Sequence, residues 1–556
     1  MEQPAPPPGS SQGFWARLWP WLTVALVLLL TSGIRLRLLN VPLERDEGEY
    51  AYLGQLMRQG IPPYALVYTM KLPGTGFLYM LGMAAFGETT AGVHLTLLVA
   101  ASLTIVFVFL LGRRLAGNLG GTAAAASYGV MSISPAVAGL AAHATHFVVL
   151  FAVPATWLLL KADRQKHRGI LFVSGLLFGL ALLMKQPGLC FGLFGAVYLA
   201  WRAWQNRAWF TASFARTMLA FAAGLALPVI LTCIVLGAAG VFGRFWFWTV
   251  SYARLYEGSL TFRQGLQEHL LAQLKDNRDL SIGFWILALT GLVAGWRAKQ
   301  LRPAMLFAAV FWLFSSLGTA AGLYFRGHYF ILLLPAFALL LGLAVEAWRG
   351  LMPAKILPDV FKSLPVIAFG LILSWMIFYN APLFFQWPVD KVGRQLYREN
   401  PFAEAVAAAR LIEEHSAPAA RVAVIGSEPE IYFYARRHSA TGYIYTYPLM
   451  EAQPYALVMQ QEMAREIESV RPEYLVQVPY ALSWLRQPGS NRYLADWFDG
   501  YAAKSYDKVG TVGFLSSGVL ATSWGVATTN APAFGGESIT IYQRRPGADD
   551  NTSGTK

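Results

Sequence analysis

Residues 20–52 read PWLTVALVLLLTSGIRLRLLNVPLERDEGEYAY, and the two halves of that stretch set the reading of everything after it. The first half is an apolar run, close to the roughly 20 residues a helix needs to cross a bilayer. Arg35 and Arg37 follow it and no small-residue cleavage site does, so it reads as an uncleaved first span. The second half crowds Glu44, Arg45, Asp46, Glu47 and Glu49 together at the edge of that span. Carboxylates are costly beside lipid, so a cluster there calls for a chemical reason.

The rest of the chain agrees with a membrane setting. Of 556 residues, 56% are hydrophobic and 13% charged, and the mean hydropathy is +0.44. A soluble protein carries about twice that charged fraction. The fold class is therefore a polytopic α-helical membrane protein. Apolar runs place spans near 14–34, 92–112, 119–141, 146–161, 170–185, 187–204, 217–240, 281–296, 303–323, 328–347 and 362–380, about eleven in all. The net charge of +13 would suggest nucleic acid in a soluble protein. Here Arg113-Arg114, Lys161 to Arg168, Arg202/Arg207, Arg297 to Arg302 and Arg349/Lys355 fall on alternate short connections, so the positive-inside rule accounts for the charge and no nucleic-acid partner is expected. That rule puts the N-terminus in the cytoplasm. It puts outside the 35–91 loop, the His143–His146 turn, the aromatic and basic 241–280 loop and everything after Asn380. Cys190 and Cys233 lie in apolar spans and suggest no disulfide framework.

The outer segments carry the chemistry. Residues 50–57 have an amphipathic helical pattern, and Asp46, Glu49 and Tyr50 share one face of such a helix. Gly76 to Phe86 is apolar but too short to span, and reads as interfacial. A carboxylate flanked by apolar helices can have a raised pKa and serve as a base. The plainer alternative is that these acids cap the helix that follows. Lys71, Lys185, Arg326 and His328 bring positive charge to the same membrane face, suiting either lipid phosphates in general or one phosphate-bearing substrate. His143 and His146, at i and i+3, invite a metal, but with no third ligand in sequence they read as a polar pair at a turn. Beyond Asn380, strands are expected at 421–426, 443–447, 474–478 and 538–542, with helices at 428–437 and 457–470, the pattern of a small α/β domain. The expected division is a disordered start at 1–13, a transmembrane domain over 14–380, an outer α/β domain over 381–546 and a disordered tail at 547–556, in which the sequon at Asn551 reads as chance.

Several of these residues fall in motifs whose order along the chain resembles the GT-C glycosyltransferases, specifically the bacterial group that looks like protein mannosyltransferases and aminoarabinose transferases. They are Arg45 to Tyr52 after the first span, Lys71-Leu72-Pro73-Gly74, Lys185-Gln186-Pro187, Gly327-His328-Tyr329-Phe330 leading to Leu334-Pro335, and Gly426 to Phe433. The resemblance implies a helical bundle with two interfacial helices in the first outer loop and an extracytoplasmic C-terminal domain, in the plasma (inner) membrane. It implies a polyprenyl-phosphate sugar donor and transfer with inversion to a glycan, lipid or protein acceptor. Asp46, with Glu47, is carried over as catalytic, Asp46 as general base. Tyr50, Lys71, Lys185, Arg326 and His328 are carried over as substrate-binding, Lys71 as the contact to the donor phosphate. Two departures bear on a metal. Aminoarabinose transferases have a metal-binding glutamate where this chain has Met70, and related enzymes often have an acid or Asn near the outer start of the fourth span, where this chain has Ala142, His143 and His146. No cofactor is assigned, and a divalent cation stays open. The rival reading is a transporter or flippase of an anionic glycolipid, which would want charges at mid-bilayer and repeated halves.

Overall fold

The computed structural model describes residues 11–165, 167–258, 260–351, 363–525 and 533–546. The polar tail expected at 547–556 and most of the segment read as disordered at the start lie outside them. Helix α1 (Ser11–Arg37) begins inside that starting segment, so the first span's helix runs back further than its apolar run. Helices α2 (Arg45–Arg58) and α3 (Gly74–Phe86) fill the 35–91 stretch, followed by α4 (Thr90–Met131), α5 (Ala144–Gln165) and α6 (Arg168–Met184). The expected spans 92–112 and 119–141 correspond to the two arms of α4, the second of which ends at Met131 rather than 141. The helix kinks at Ala116 and Gly117, where Gly117 has φ 72°, a conformation that favours glycine. Among the described residues, six helices are long and apolar enough to cross a membrane, by length and composition; several expected spans, such as 170–185 and 362–380, are helices of 17 and 16 residues, shorter than that.

The bundle packs through small residues. A Cβ on Gly175 of α6 would lie 2.1 Å from the Phe221 carbonyl oxygen, and one on Gly179 2.3 Å from that of Leu225. The backbones of α6 and the helix Ala212–Ala238 therefore touch directly. Helix α7 (Leu334–Leu351) runs through the middle of the bundle, with Ala338, Leu341 and Ala344 fully buried.

The C-terminal domain holds one six-stranded sheet: β1 (Arg421–Ile425), β2 (His438–Ser439), β3 (Tyr474–Gln477), β4 (Tyr506–Leu515), β5 (Leu520–Trp524) and β6 (Phe534–Arg544). Its order is β2-β1-β3-β6-β4-β5. The first three strands are parallel, with Val422 opposite Tyr474 and Ile425 opposite Gln477, and β6, β4 and β5 add antiparallel.

Three expectations are corrected. Helix α2 is not an amphipathic helix lying on lipid: Arg45 and all of 47–56 are buried. One side of it meets α3 and the other meets the short helix α8 (Glu430–Ala435) of the C-terminal domain. The domain sits on α2, so faces that would otherwise be polar are covered. The 241–280 stretch is not an open loop but largely helical, with wider π turns at Phe247–Tyr252 and Gly265–Leu270. Residues 443–447 are not a strand. Their backbone N–H groups turn to side chains instead: Tyr443 N donates to Thr441 Oγ1 at 3.1 Å and Thr446 N to Ser427 Oγ at 3.0 Å.

Gly48 fixes how closely the domain approaches. A Cβ there would fall 2.6 Å from Cβ and 2.7 Å from the backbone N of Glu430. Gly48→Ala is expected to destabilise the full chain by roughly 1–3 kcal/mol through overpacking. A lowered thermal-unfolding midpoint in detergent would register it.

Candidate active site

The start of α2 sorts its acids by direction. Glu44 and Glu47 form a reciprocal cap: Glu47 N donates to Glu44 Oε1 at 3.0 Å, and Glu44 N to Glu47 Oε2 at 3.1 Å. Glu47 is fully buried, and its Oε1 also accepts from Ala142 N at 2.5 Å and contacts His94 Nε2 at 3.1 Å. It does not line the cavity described below. Of the two carboxylates expected to be catalytic, Glu47 is thus turned inward, because capping and inter-helix bonding occupy both of its oxygens. Capping falls to Glu44 and Glu47, and the cavity-lining place to Asp46.

Asp46 faces the other way. Its Oδ1 accepts from Lys71 Nζ at 2.6 Å and from the Tyr445 hydroxyl at 3.0 Å. Its Oδ2 faces His143 Nδ1 and His328 Nε2, each at 3.9 Å. Lys71 Nζ is also 2.5 Å from Glu49 Oε2 and 4.7 Å above the Tyr50 ring. The helix face expected to gather Asp46, Glu49 and Tyr50 thus does so around one ammonium. The expected raised pKa is corrected as well. Burial pushes the Asp46 carboxyl up, but Lys71, with His328 and His143, outweighs it and holds the group well below the usual carboxylate range. Asp46 is a carboxylate at neutral pH. Burial, with the Asp46 and Glu47 charges adding to it, raises Glu44 to about 8. Burial lowers His143 to about 4, so its imidazole is neutral.

Asp46 lines a cavity of about 420 Å³ walled by both halves of the chain. The expected residues Tyr50, Lys71, Lys185, Arg326, His328 and His143 all line it. Lys185 Nζ lies 4.1 Å over the Tyr329 ring, and the Arg326 guanidinium 5.5 Å over Tyr324. Among the described residues neither pairs with a carboxylate. His146 does not line the cavity; it is buried with both ring nitrogens lacking a hydrogen-bond partner.

Sequence reasoning missed the part of the far wall that the C-terminal domain supplies, Tyr445, Tyr447 and Glu451; Tyr252 and Tyr256 belong to the aromatic 241–280 stretch that the sequence singled out. Tyr252 donates to Glu451 Oε2 at 2.5 Å. The Tyr-x-Tyr-x-Tyr spacing at 443–447 was the available signal, and it was read as strand alternation. Of the two histidines that invited a metal, His143 lines the cavity and His146 does not. Asp46, His143 and His328 each offer one ligand atom within 4.8 Å of the others, and the His143 and His328 rings stack 4.0 Å apart. His143 Nδ1 is buried without a hydrogen bond, so two imidazoles and a carboxylate form a donor set suited to a divalent cation.

Residues 71–232 match the family model for dolichyl-phosphate-mannose-protein mannosyltransferase. The undecaprenyl phosphate-α-4-amino-4-deoxy-L-arabinose arabinosyl transferase of Pseudomonas aeruginosa strain UCBPP-PA14 is 29% identical over 245 residues, 41% of this chain and 42% of that one. The same enzyme of strain PAO1 is 30% identical over 218 residues, 36% of this chain and 38% of that one. The chain thus spans about two fifths of the length of these curated relatives. Whole-chain likeness is to solved structures. ArnT from Cupriavidus metallidurans bound to undecaprenyl phosphate matches with TM-score 0.57 and 16% identity over 96% of this chain and 98% of that one. The oligosaccharyltransferase AglB of Archaeoglobus fulgidus, in complex with an inhibitory peptide and a dolichol-phosphate, matches with TM-score 0.51 and 12% identity over 94% of this chain and 76% of that one.

Proposed function

We propose, for a multi-pass membrane protein that has the GT-C glycosyltransferase fold and resembles the aminoarabinose transferases and protein mannosyltransferases, that it moves a sugar from a polyprenyl-phosphate donor to an acceptor hydroxyl at the extracytoplasmic face. One observation carries the reading. A single cavity holds a carboxylate with one oxygen tied down and the other facing two imidazoles, together with two basic side chains, Lys185 and Arg326, that form no salt bridge among the described residues.

The steps follow from those atoms. The acceptor hydroxyl approaches Asp46 Oδ2 and gives up its proton there. Its oxygen bonds to the anomeric carbon on the face opposite the leaving group, so the configuration inverts. The bond from that carbon to the phosphate oxygen breaks, and its electron pair stays on the polyprenyl phosphate. Lys185 and Arg326 hold the charge that develops on that phosphate, with His328 beside them. The low pKa of Asp46 is no obstacle: charge separation at the sugar runs ahead of proton transfer in an oxocarbenium-like transition state. Lys71, which the resemblance casts as a phosphate contact, is held by Asp46 and Glu49; we assign it instead to orienting the base. A divalent cation on Asp46, His143 and His328 would supply Lewis-acid polarisation of an oxygen at the same spot. The positive-inside pattern supports a cavity open to the outside and a cytoplasmic N-terminus.

Mass spectrometry of envelope glycans tests this in cells with and without the protein. A glycan mass increment present only with the protein is expected. Identical glycans in strains that express it would refute the transferase and leave the flippase reading.

A further inference from the structure

We propose that the C-terminal α/β domain is part of the catalytic apparatus, with Tyr445 a positioning residue bonded to the base and the buried Arg45–Glu428 pair the device that holds the two in register. The inference rests on the transferase reading above and adds a role for a domain otherwise left as an appendage.

Arg45 precedes Asp46 and is 8% exposed. Its Nε donates to Ser427 O at 2.5 Å, Nη1 to Asn400 Oδ1 at 3.1 Å and Nη2 to Glu428 Oε1 at 2.7 Å. Its guanidinium lies 5.2 Å from the ring centres of both Phe402 and Tyr447. Glu428 uses its other oxygen, Oε2, to accept from Ser427 N at 2.8 Å and Ser483 Oγ at 2.5 Å. Ser427 Oγ is 2.9 Å from Thr446 Oγ1, and Thr446 Oγ1 donates to Ser483 O at 3.0 Å. The residue before Thr446 is Tyr445, whose hydroxyl returns to Asp46 Oδ1 at 3.0 Å. The chain of contacts leaves α2 at Arg45, crosses the domain and comes back to α2 one residue later.

Stability alone does not account for such a pair. A buried ion pair can generally be replaced by apolar groups of similar volume with little loss or a gain in stability. What apolar groups could not supply is a fixed geometry. A carboxylate's terminal torsion is broad, and Asp46 could present either oxygen to the acceptor. Tyr445 and Lys71 both donate to Oδ1, leaving Oδ2 for the proton. If the domain shifted, Tyr445 would leave Oδ1 and that choice would be lost.

Tyr445→Phe removes one oxygen and leaves the packing. It is expected to cut glycan addition in cells by on the order of 10- to 100-fold, the worth of a hydrogen bond to a charged group. The purified full chain should keep its melting temperature and its affinity for undecaprenyl phosphate. The double variant Arg45→Met/Glu428→Met is expected to fold and bind undecaprenyl phosphate as the wild type does, yet to lose addition to a similar extent; a merely structural pair would leave it active. Full addition in either folded variant overturns the inference, and if the double variant does not fold, Tyr445→Phe decides alone. A wild type that adds no glycan and binds no undecaprenyl phosphate would instead bring down the transferase reading beneath it.

Discussion

Asp46→Asn is expected to lower sugar transfer by roughly 10²–10⁴-fold, the usual contribution of a positioned general base, while the protein folds and still binds its lipid donor. Asparagine keeps the shape of Asp46 and can still accept from Lys71 and Tyr445 at its oxygen. It places an NH₂ group where Oδ2 would take the proton. Glu47→Gln makes the contrast. Glu47 has the same chemistry one position along, yet caps α2 and bonds Ala142 outside the cavity, so its loss should lower the melting temperature more than the turnover of the folded fraction. Glycan addition per folded molecule, measured for both variants at matched expression, checks the pair. Equal losses of turnover would mean that the inward-facing acid is also chemical.

The second large effect belongs to the cations. Lys185→Met and Arg326→Met each remove a basic group that lines the cavity and forms no salt bridge among the described residues. Electrostatic groups aimed at developing charge are commonly worth 10²–10³-fold in turnover, and each substitution is expected to cost on that order. Charge-assisted bonds to a phosphate contribute about 1.5–3 kcal/mol each, so the affinity for undecaprenyl phosphate should fall with each and further with both. Lys71→Met should behave differently. With its ammonium gone, Asp46 and Glu49 are left as adjacent buried acids, and the loss should show in turnover and folding more than in donor affinity. Titration of each purified variant with undecaprenyl phosphate separates the two classes. Full affinity in the Lys185/Arg326 double variant would remove the phosphate from that site.

How much of this was legible in the sequence depended on range. The Glu44–Tyr50 cluster, Lys71 and the cations at span ends could be read because charge near lipid is rare enough to stand out. Their direction could not. Glu47 and Asp46 are adjacent acids, and only the helix axis and the position of Ala142 decide which one meets the cavity. Burial of α2 was illegible for a related reason: an apolar face looks the same whether lipid or another domain covers it. Tyr445 lies 399 positions from Asp46, which it touches, and no local pattern encodes such a contact. Strand β4 escaped because Gly510 and Gly513 lower its apparent strand propensity. In the fold those glycines make room for rings: a Cβ on them would come within 2.9 Å of Trp524 and 2.8 Å of Phe534. His328 and His143 lie far apart in the chain, so their stacking on each other beside one carboxylate oxygen emerges only in three dimensions.

The most direct test is a cryo-EM structure of the full chain in nanodiscs with undecaprenyl phosphate. The account predicts phosphate density between Lys185 and Arg326, in the same cavity as Asp46 Oδ2, with the lipid tail leaving between helices toward the bilayer. Phosphate density at the Arg113–Arg114 face, or in any site that Asp46 does not line, would contradict it.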